Sequence, residues 1–559
     1  MSAVRPPAET SPQTVARGNR RSAPVCRAAL AALLGLAVAA QSAPAEAGAR
    51  ASRADAARGE LPLGRPGLSE SRSSTRPAPG VRYTRIERGE VSRRDAYTVD
   101  VAFRAGRNDA RALAARLRED GYRPRIVRVA QRAPDDPERG PLGYLVRVGA
   151  LDSEREANAV RDRLAADGYT GLRVVYTGED GRRTTGPWVV HVLEVDPEAL
   201  GGALDARLAT DVVPERELLT SIAGRTDAIA SLNGGYFVIG PDDGTPGDLA
   251  GISMLDGRLV SEAVNGRTSL VLPSPTGAGA RVAALSSRQT ATASDGALRE
   301  VDGLNRKPGL IRGCGGIGGD APTELPKHDF TCTDPTELIL FTPDFGSATE
   351  PGEGAEATLD ADGRVTELRP ARGGAIPPGG SVLSGTGEGA DWLRAHARPG
   401  ARVDVATGVR VGGRALAPSP TLDVINGGPR LLRDGRPAIT AAAEGFHWEE
   451  NPEFYYRFGV RRNPRTLAGV RPSGTLVLVA VDGRRPGHSV GASFGESAAV
   501  LRALGARDGV NLDGGGSTGM TLGPRLATRP SDTAGERPIA DALVLEGVRS
   551  EEQSNGRRP

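Results

Sequence analysis

The chain has 559 residues, room for two to four domains, and its 71 basic and 69 acidic residues leave a formal net charge of +2. So even a balance excludes the bulk positive field of a nucleic-acid binder. Seventy-five glycines and 42 prolines with only 4% aromatic residues describe a loop-rich protein with many β-turns.

The first predicted element is an export signal over residues 1–48. Arg17, Arg20, Arg21 and Arg27 precede the apolar run AALAALLGLAVAA, and the small-residue sites APA and AEA follow it. That run is short for a bilayer span and has no stop-transfer flank, so cleavage is expected near Ala45 to Ala49, by the Sec or the twin-arginine route. The mature protein is then expected to be secreted or in the cell envelope, with no membrane span. Export leaves Cys314 and Cys332. An oxidising compartment and the lack of CxxC spacing favour one disulfide over a metal site. Closing so short a loop stabilises by roughly 3 kcal/mol on the chain-entropy view.

Residues 49–95 are rich in Arg, Ala, Ser, Pro and Gly without periodicity and read as a disordered linker. Over 96–180 the chain repeats itself. YTVDV at Tyr97 returns as YLVRV at Tyr144, and RLREDGY ending at Tyr122 returns as RLAADGY ending at Tyr169, both 47 residues on. Each copy is an alternating strand, a helix (Ala112, Ala115, Leu117; then Ala157, Val160, Leu164), a Gly-Tyr stop and a second strand. Two such units make a small βαββαβ sandwich with the helices on one sheet face. This segment resembles the SPOR domain, a resemblance that implies binding to peptidoglycan glycan strands. Since all later motifs lie from Trp188 onward, the module reads as a tether that hydrolysis does not need.

Residues 187–548 form a larger mixed α+β region, and 549–559 a tail. TLVLVAVDG (475–483) reads as a buried strand ending in an Asp-Gly turn. ESAAVLRAL has apolar residues at helical spacing, Glu496 in its first turn and Gly505 as its stop. VNL then leads to Asp513 and the glycines of NLDGGGSTGM. Two more elements, SLNGGYF (Asn233, Gly234, Gly235) and INGGPRLL (Asn426, Gly427, Gly428), also follow strand-like runs. An Asn amide donates and accepts, which suits sugar hydroxyls or a phosphoryl oxygen, and adjacent glycines let backbone amides converge on an anion.

In their order NGGYF, NGGPRLL, RNPRTLAGV, the VDG strand end, ESAAVLRALGA and NLDGGGSTGM resemble the phosphodiester glycosidase family over roughly 190–548. DGLNRKPG (Asp302, Asn305, Arg306) and ERPIADALVL also match it. The resemblance implies hydrolysis of a sugar-1-phosphodiester, such as one of N-acetylglucosamine, leaving a phosphomonoester. It makes Asp513 the first candidate catalytic carboxylate and Glu496 the second, with Glu496 as a first-turn helix acid the competing reading. Arg465 and Arg537 are the candidates for the phosphodiester charge. The remaining expected substrate-binding positions are Asn233, Gly234, Gly235, Asn426, Gly427, Gly428, Asn511, Gly514, Gly515 and Ser517. Asp482 reads as the opening of an Asp-Gly turn.

Other chemistries fit poorly. There is no GxxxxGK[ST], no HExxH and no strand-turn-helix GxSxG, and the five histidines are scattered. GCGGIGGD (313–320) reads as a disulfide-pinned loop. No cofactor is expected, although spacing leaves a carboxylate-bound divalent cation open. Phe446, Trp448, Phe454, Tyr455, Tyr456 and Phe458 form an aromatic cluster suited to stacking on sugars or to a local core. A non-catalytic envelope protein that binds glycan phosphates in the same cleft is the alternative function.

Overall fold

A computed structural model describes residues 59–264, 266–314 and 331–547. The expected signal segment and the C-terminal tail lie outside the described residues, as does most of GCGGIGGD. The fold is α+β and rich in strands. Its central sheet has eight strands, and Leu476–Val481 (LVLVAV) shows how it is built. Side chains alternate between the two faces of a strand. Leu476, Leu478 and Ala480 enter one apolar core, Val477, Val479 and Val481 another, and both faces are buried. The first core lies between this sheet and a five-stranded sheet containing Ala228–Asn233 and Asp541–Glu546. The second lies under the helix Phe494–Ala503.

Two edge strands of the central sheet come from the expected linker, which is a correction. Glu70–Ala78 and Val81–Arg88 form a hairpin, and the latter pairs antiparallel with Trp188–Val195 along its whole length, from Val81↔Val195 to Arg88↔Trp188. Buried Arg88 fastens the turn before it, donating to the carbonyls of Leu63 and Leu68 and pairing with Glu60 and Glu70. The composition is that of a linker, but the apolar residues are shared between two cores: Val81 and Tyr83 face one, Ile86 the other.

The repeat folds as a four-stranded sheet in the order Pro124–Val129, Gly143–Leu151, Tyr97–Arg104, Arg173–Tyr176. Helices Arg107–Glu119 and Glu154–Ala166 cover one face, burying Ala110, Ala114, Leu117 and Ala157, Val160, Leu164 against Val99, Val146 and Val148. In the first helix Leu117 is buried as expected but Ala112 and Ala115 are exposed, because the buried stripe runs through Ala110 and Ala114, one or two residues off the expected positions. The Gly-Tyr stops cross over: Tyr169 Oη donates to Asp120 at 2.5 Å and Tyr122 Oη to Asp167, so each tyrosine closes the other copy's helix.

The opposite face of this sheet is not free. Phe103, Leu145 and Tyr176 belong to the same apolar cluster as Trp188, Leu467 and Phe494. Buried Arg147 donates from Nε to Asp100 at 2.7 Å and from Nη2 to Asp180 at 3.1 Å, and the Asp180 carboxylate also accepts from Tyr456 Oη at 3.3 Å. Arg461 pairs with Glu179 at 2.8 Å, and Asp135 accepts the N–H groups of Ala442 and Ala443. The expected tether is thus docked through its sheet face onto the larger region.

Cys314 and Cys332 are joined by a disulfide, their Cα atoms 6.0 Å apart. Among the described residues no helix is long and apolar enough to cross a membrane.

Candidate active site

Strands from three sheets end at one place, and each carries one of the expected asparagines. Asn233 closes Ala228–Asn233, Asn426 follows Asp423–Ile425, and Asn511 closes Asp508–Asn511. Tyr236 ties two of them together. Its N–H donates to Asn426 Oδ1 at 2.7 Å, its Oη donates to the Gly428 carbonyl at 2.7 Å, and Asn511 Nδ2 donates to that Oη at 2.7 Å. Asn233 reaches the same cluster through Asp513, donating from Nδ2 to the Asp513 carbonyl at 2.9 Å. Its Oδ1 accepts from Thr466 Oγ1 and the Gly519 N–H.

All three asparagines are at most 1% exposed, so their amides brace the strand ends and do not face a ligand directly. The paired glycines belong to the same brace. A Cβ on Gly234 would stand 2.6 Å from Asp541 Oδ1, one on Gly235 2.3 Å from Asn426 Nδ2, and one on Gly427 2.8 Å from the Asn511 carbonyl. Gly428, at φ +118°, precedes a cis-proline.

The brace positions Asp513. Its carboxylate accepts the Gly514 N–H at 2.8 Å and lies half-buried in the lining of a cavity of about 350 Å³. Burial raises its pKa to about 6, against the lowering pull of the Ser517 hydroxyl, the Gly514 N–H and the Arg537 and Arg312 charges. Seven arginines line the same cavity, and Asp513 is the one carboxylate among its described lining.

Two of these arginines are unusual. Arg465 is 1% exposed and gives its hydrogen bonds to the carbonyls of Ala492, Phe458 and Arg461, with its guanidinium 4.5 Å over the Phe494 ring. Burial, first of all, lowers its pKa to about 10. Arg484 donates to Asn463 Oδ1 at 2.8 Å, and burial and neighbouring arginines lower its pKa too. Among the described residues neither has a carboxylate within ion-pair distance. Arg484 also holds φ +54°, a strained conformation for a long side chain that clusters at functional sites.

The triple glycine now has a physical reason. Gly515 at φ +61° lies against Arg484, whose Nη1 would stand 3.4 Å from an added Cβ. On Gly516 a Cβ would meet Arg537 Nη2 at 2.1 Å. Bare backbone lets two guanidiniums lie on the loop beside Asp513. Arg537 is held there by Asp532, at 2.9 Å from its Nε. Ser517, at the end of the same turn, is buried.

Glu496 stands elsewhere. It closes a capping box with Ser493 at the start of its helix and is gripped by Arg462 at 2.7 and 3.0 Å, so it does not line the cavity. The acid that sequence reasoning missed is Asp541, 1% exposed, which accepts the Gly235 N–H at 2.8 Å. Burial and the nearby Asp513 charge raise its pKa to about 7. Asp482 is a buried hub that accepts from His488 at 2.7 Å and from the Arg529 N–H, with His191 at 3.4 Å.

One cavity wall is aromatic. Phe446 and Phe458 stack in parallel at 5.6 Å, and Phe454 continues the stack at 5.4 Å. Tyr455 and Tyr456 point away and are buried, the latter stacking on Phe103 of the docked module at 5.7 Å. The cluster therefore serves as cavity wall and as core at once.

The phosphodiester glycosidase family model matches residues 353–546, and the SPOR domain model matches 94–175. The first match begins after SLNGGYF, although the structure brings Asn233 into the matched region's cluster. Among solved structures, the chain is similar to a Burkholderia pseudomallei K96243 protein described as exported: 35% identity, 87% of this chain and 98% of that one covered, TM-score 0.80. A hypothetical protein from Synechocystis is 18% identical, with 86% and 81% covered and a TM-score of 0.51, a likeness of fold. The catalytic domain of zebrafish N-acetylglucosamine-1-phosphodiester α-N-acetylglucosaminidase, auto-inhibited by its pro-peptide, is 17% identical, with 65% and 78% covered and a TM-score of 0.33. No curated protein matches the chain.

Proposed function

The chain belongs to the phosphodiester glycosidase family and carries a SPOR domain, and from that premise we propose that it hydrolyses the glycosidic bond of a sugar-1-phosphodiester. The observation that carries the proposal is a half-buried carboxylate beside Arg465 and Arg484, guanidiniums that have no carboxylate of their own among the described residues. Such cations favour a fixed anion, and arginine's planar fork suits a phosphodiester. Asp513 is the proposed catalytic carboxylate. As the C1–O bond breaks, its electron pair passes to the phosphate oxygen, and Arg484 and Arg537 over the glycine loop stabilise that growing charge. A water oxygen adds to C1 and gives its proton to Asp513. An alkyl phosphate is a far weaker base than a sugar alkoxide, so it departs without a strong general acid. That chemistry is consistent with a cavity whose described lining holds one carboxylate, Asp513, with Asp541 close by. Export through the N-terminal segment, action in the cell envelope and peptidoglycan binding through the SPOR domain complete the proposal.

Release of free sugar from a panel of sugar-1-phosphodiesters tests it, and no turnover on any of them would refute it. The pH profile tests the role of Asp513. With its pKa raised to about 6, the ionised base is lost below that pH, so kcat/KM should fall about tenfold per unit there. An acid limb near pH 4 would mean that another group carries the reaction. The glycine loop gives a third check. Gly516→Ala displaces the flexible end of Arg537, so the protein should fold while kcat/KM drops by about tenfold or more. Wild-type kinetics in this variant would remove Arg537 from the site.

A further inference from the structure

The cavity that holds Asp513 is not built by the glycosidase region alone. Arg173, the first residue of the SPOR strand Arg173–Tyr176, lines it as well. Its backbone is fixed twice over: it pairs with Asp100 inside the module's sheet, and that sheet's face is buried on the larger region. Arg457, in the π-helical turn Tyr456–Val460, lines the cavity too, with its side chain 35% exposed and paired to Glu453. Phe454 and Asn451, just before that turn, complete this part of the lining. Arg173 is exposed and Arg457 partly so, whereas Arg465 is buried. An exposed arginine at a cavity mouth reads the part of a ligand that projects outward.

We propose that Arg173, with Arg457, forms an outer anion subsite, and that the substrate's aglycone carries a second negative charge beyond the scissile phosphodiester. The inference rests on the phosphodiester reading above and names the substrate class: a polyanionic glycan or glycan-phosphate, not an isolated diester with a neutral aglycone. The second charge is a phosphate or a carboxylate. The SPOR domain then has a role in specificity inside the site.

The test uses the full-length protein and three matched N-acetylglucosamine-1-phosphodiesters whose aglycones end in a hydroxyl, a carboxylate or a phosphate monoester. Wild type should favour at least one anionic aglycone about tenfold in kcat/KM, mainly through KM, and the favoured one identifies the anion. Arg173→Ala should lose most of that preference, Arg173→Lys should keep part of it, and both should melt as wild type does. Equal kcat/KM for all three substrates in the wild type would overturn the proposal, as would an equal loss on the neutral and charged substrates in Arg173→Ala. Calorimetric binding of the same three compounds to Asp513→Asn reads the subsite without turnover. A wild type that hydrolyses nothing would thus sink the reaction while the binding preference still decides the subsite.

Discussion

Asp513→Asn is expected to lower kcat on a sugar-1-phosphodiester by about 10³-fold or more, with KM changed little. The amide keeps the shape, and its oxygen can still accept the Gly514 N–H that Asp513 holds at 2.8 Å. What disappears is the negative charge and the site that takes a proton. Stability should move the other way. The folded pKa of Asp513 is raised to about 6, above the ordinary carboxylate value near 4. Its stabilising contribution is therefore complete below the unfolded pKa and is lost as pH rises through about 6. At pH 7 the wild type holds a half-buried charge that the asparagine variant lacks, so the variant should melt at or above the wild-type temperature. Sugar release, thermal melts at pH 7 and calorimetric binding of the uncleaved diester check this. More than a tenth of wild-type kcat would disqualify Asp513. No turnover by either protein, with intact binding, would favour a glycan-phosphate binding protein.

What was legible in the sequence follows from how each residue is buried. The repeat could be read because both copies keep the same small and apolar residues against one sheet, at a constant spacing. Leu476–Val481 could be read because both of its faces are apolar. The hairpin Glu70–Arg88 could not: its outer strand is exposed, and its inner strand divides Val81, Tyr83 and Ile86 between two cores. No periodic pattern survives such a division. The Asn-Gly elements marked the right place, but their amides are turned inward. Only the fold shows that the bare loop serves Arg484 and Arg537.

Three residues at the site were read past for sharper causes. SFGE carries the Ser-x-x-Glu spacing of a capping box, a signal that by itself assigns Glu496 to its helix end and away from the chemistry. Asp541 stands in the apolar run IADALVL, where a lone acid without a basic neighbour is costly to bury and so worth questioning. Arg484 was hidden because VDG reads as a turn and draws attention to its aspartate. Its left-handed backbone is invisible in a sequence.

Deleting residues 97–178 is expected to abolish sugar release and to leave a protein that aggregates. The sequence suggested the opposite, a tether whose loss spares catalysis. Deletion would strip Phe103, Leu145 and Tyr176 from an apolar cluster they share with Trp188, Leu467 and Phe494, and an exposed patch of that kind promotes association. It would also remove Arg173 from the cavity. A point substitution separates these effects. Arg147→Ala keeps the module but removes the closest cation of buried Asp100 and Asp180, leaving them only Arg461 at 3.9 and 3.8 Å. Breaking a buried pair in this way costs about 3–5 kcal/mol. The denaturation midpoint should fall accordingly, and activity should fall at temperatures where wild type is still folded. Arg125 lies on the same sheet with its side chain exposed, donating to the Gly149 carbonyl, so Arg125→Ala is the control for a harmless change in the module. A soluble deletion protein with normal sugar release would show that the interface is dispensable. Loss of both activity and solubility, with Arg147→Ala between it and the wild type, would establish the docked module as half of the folded unit, because only a shared core makes the two regions fail together.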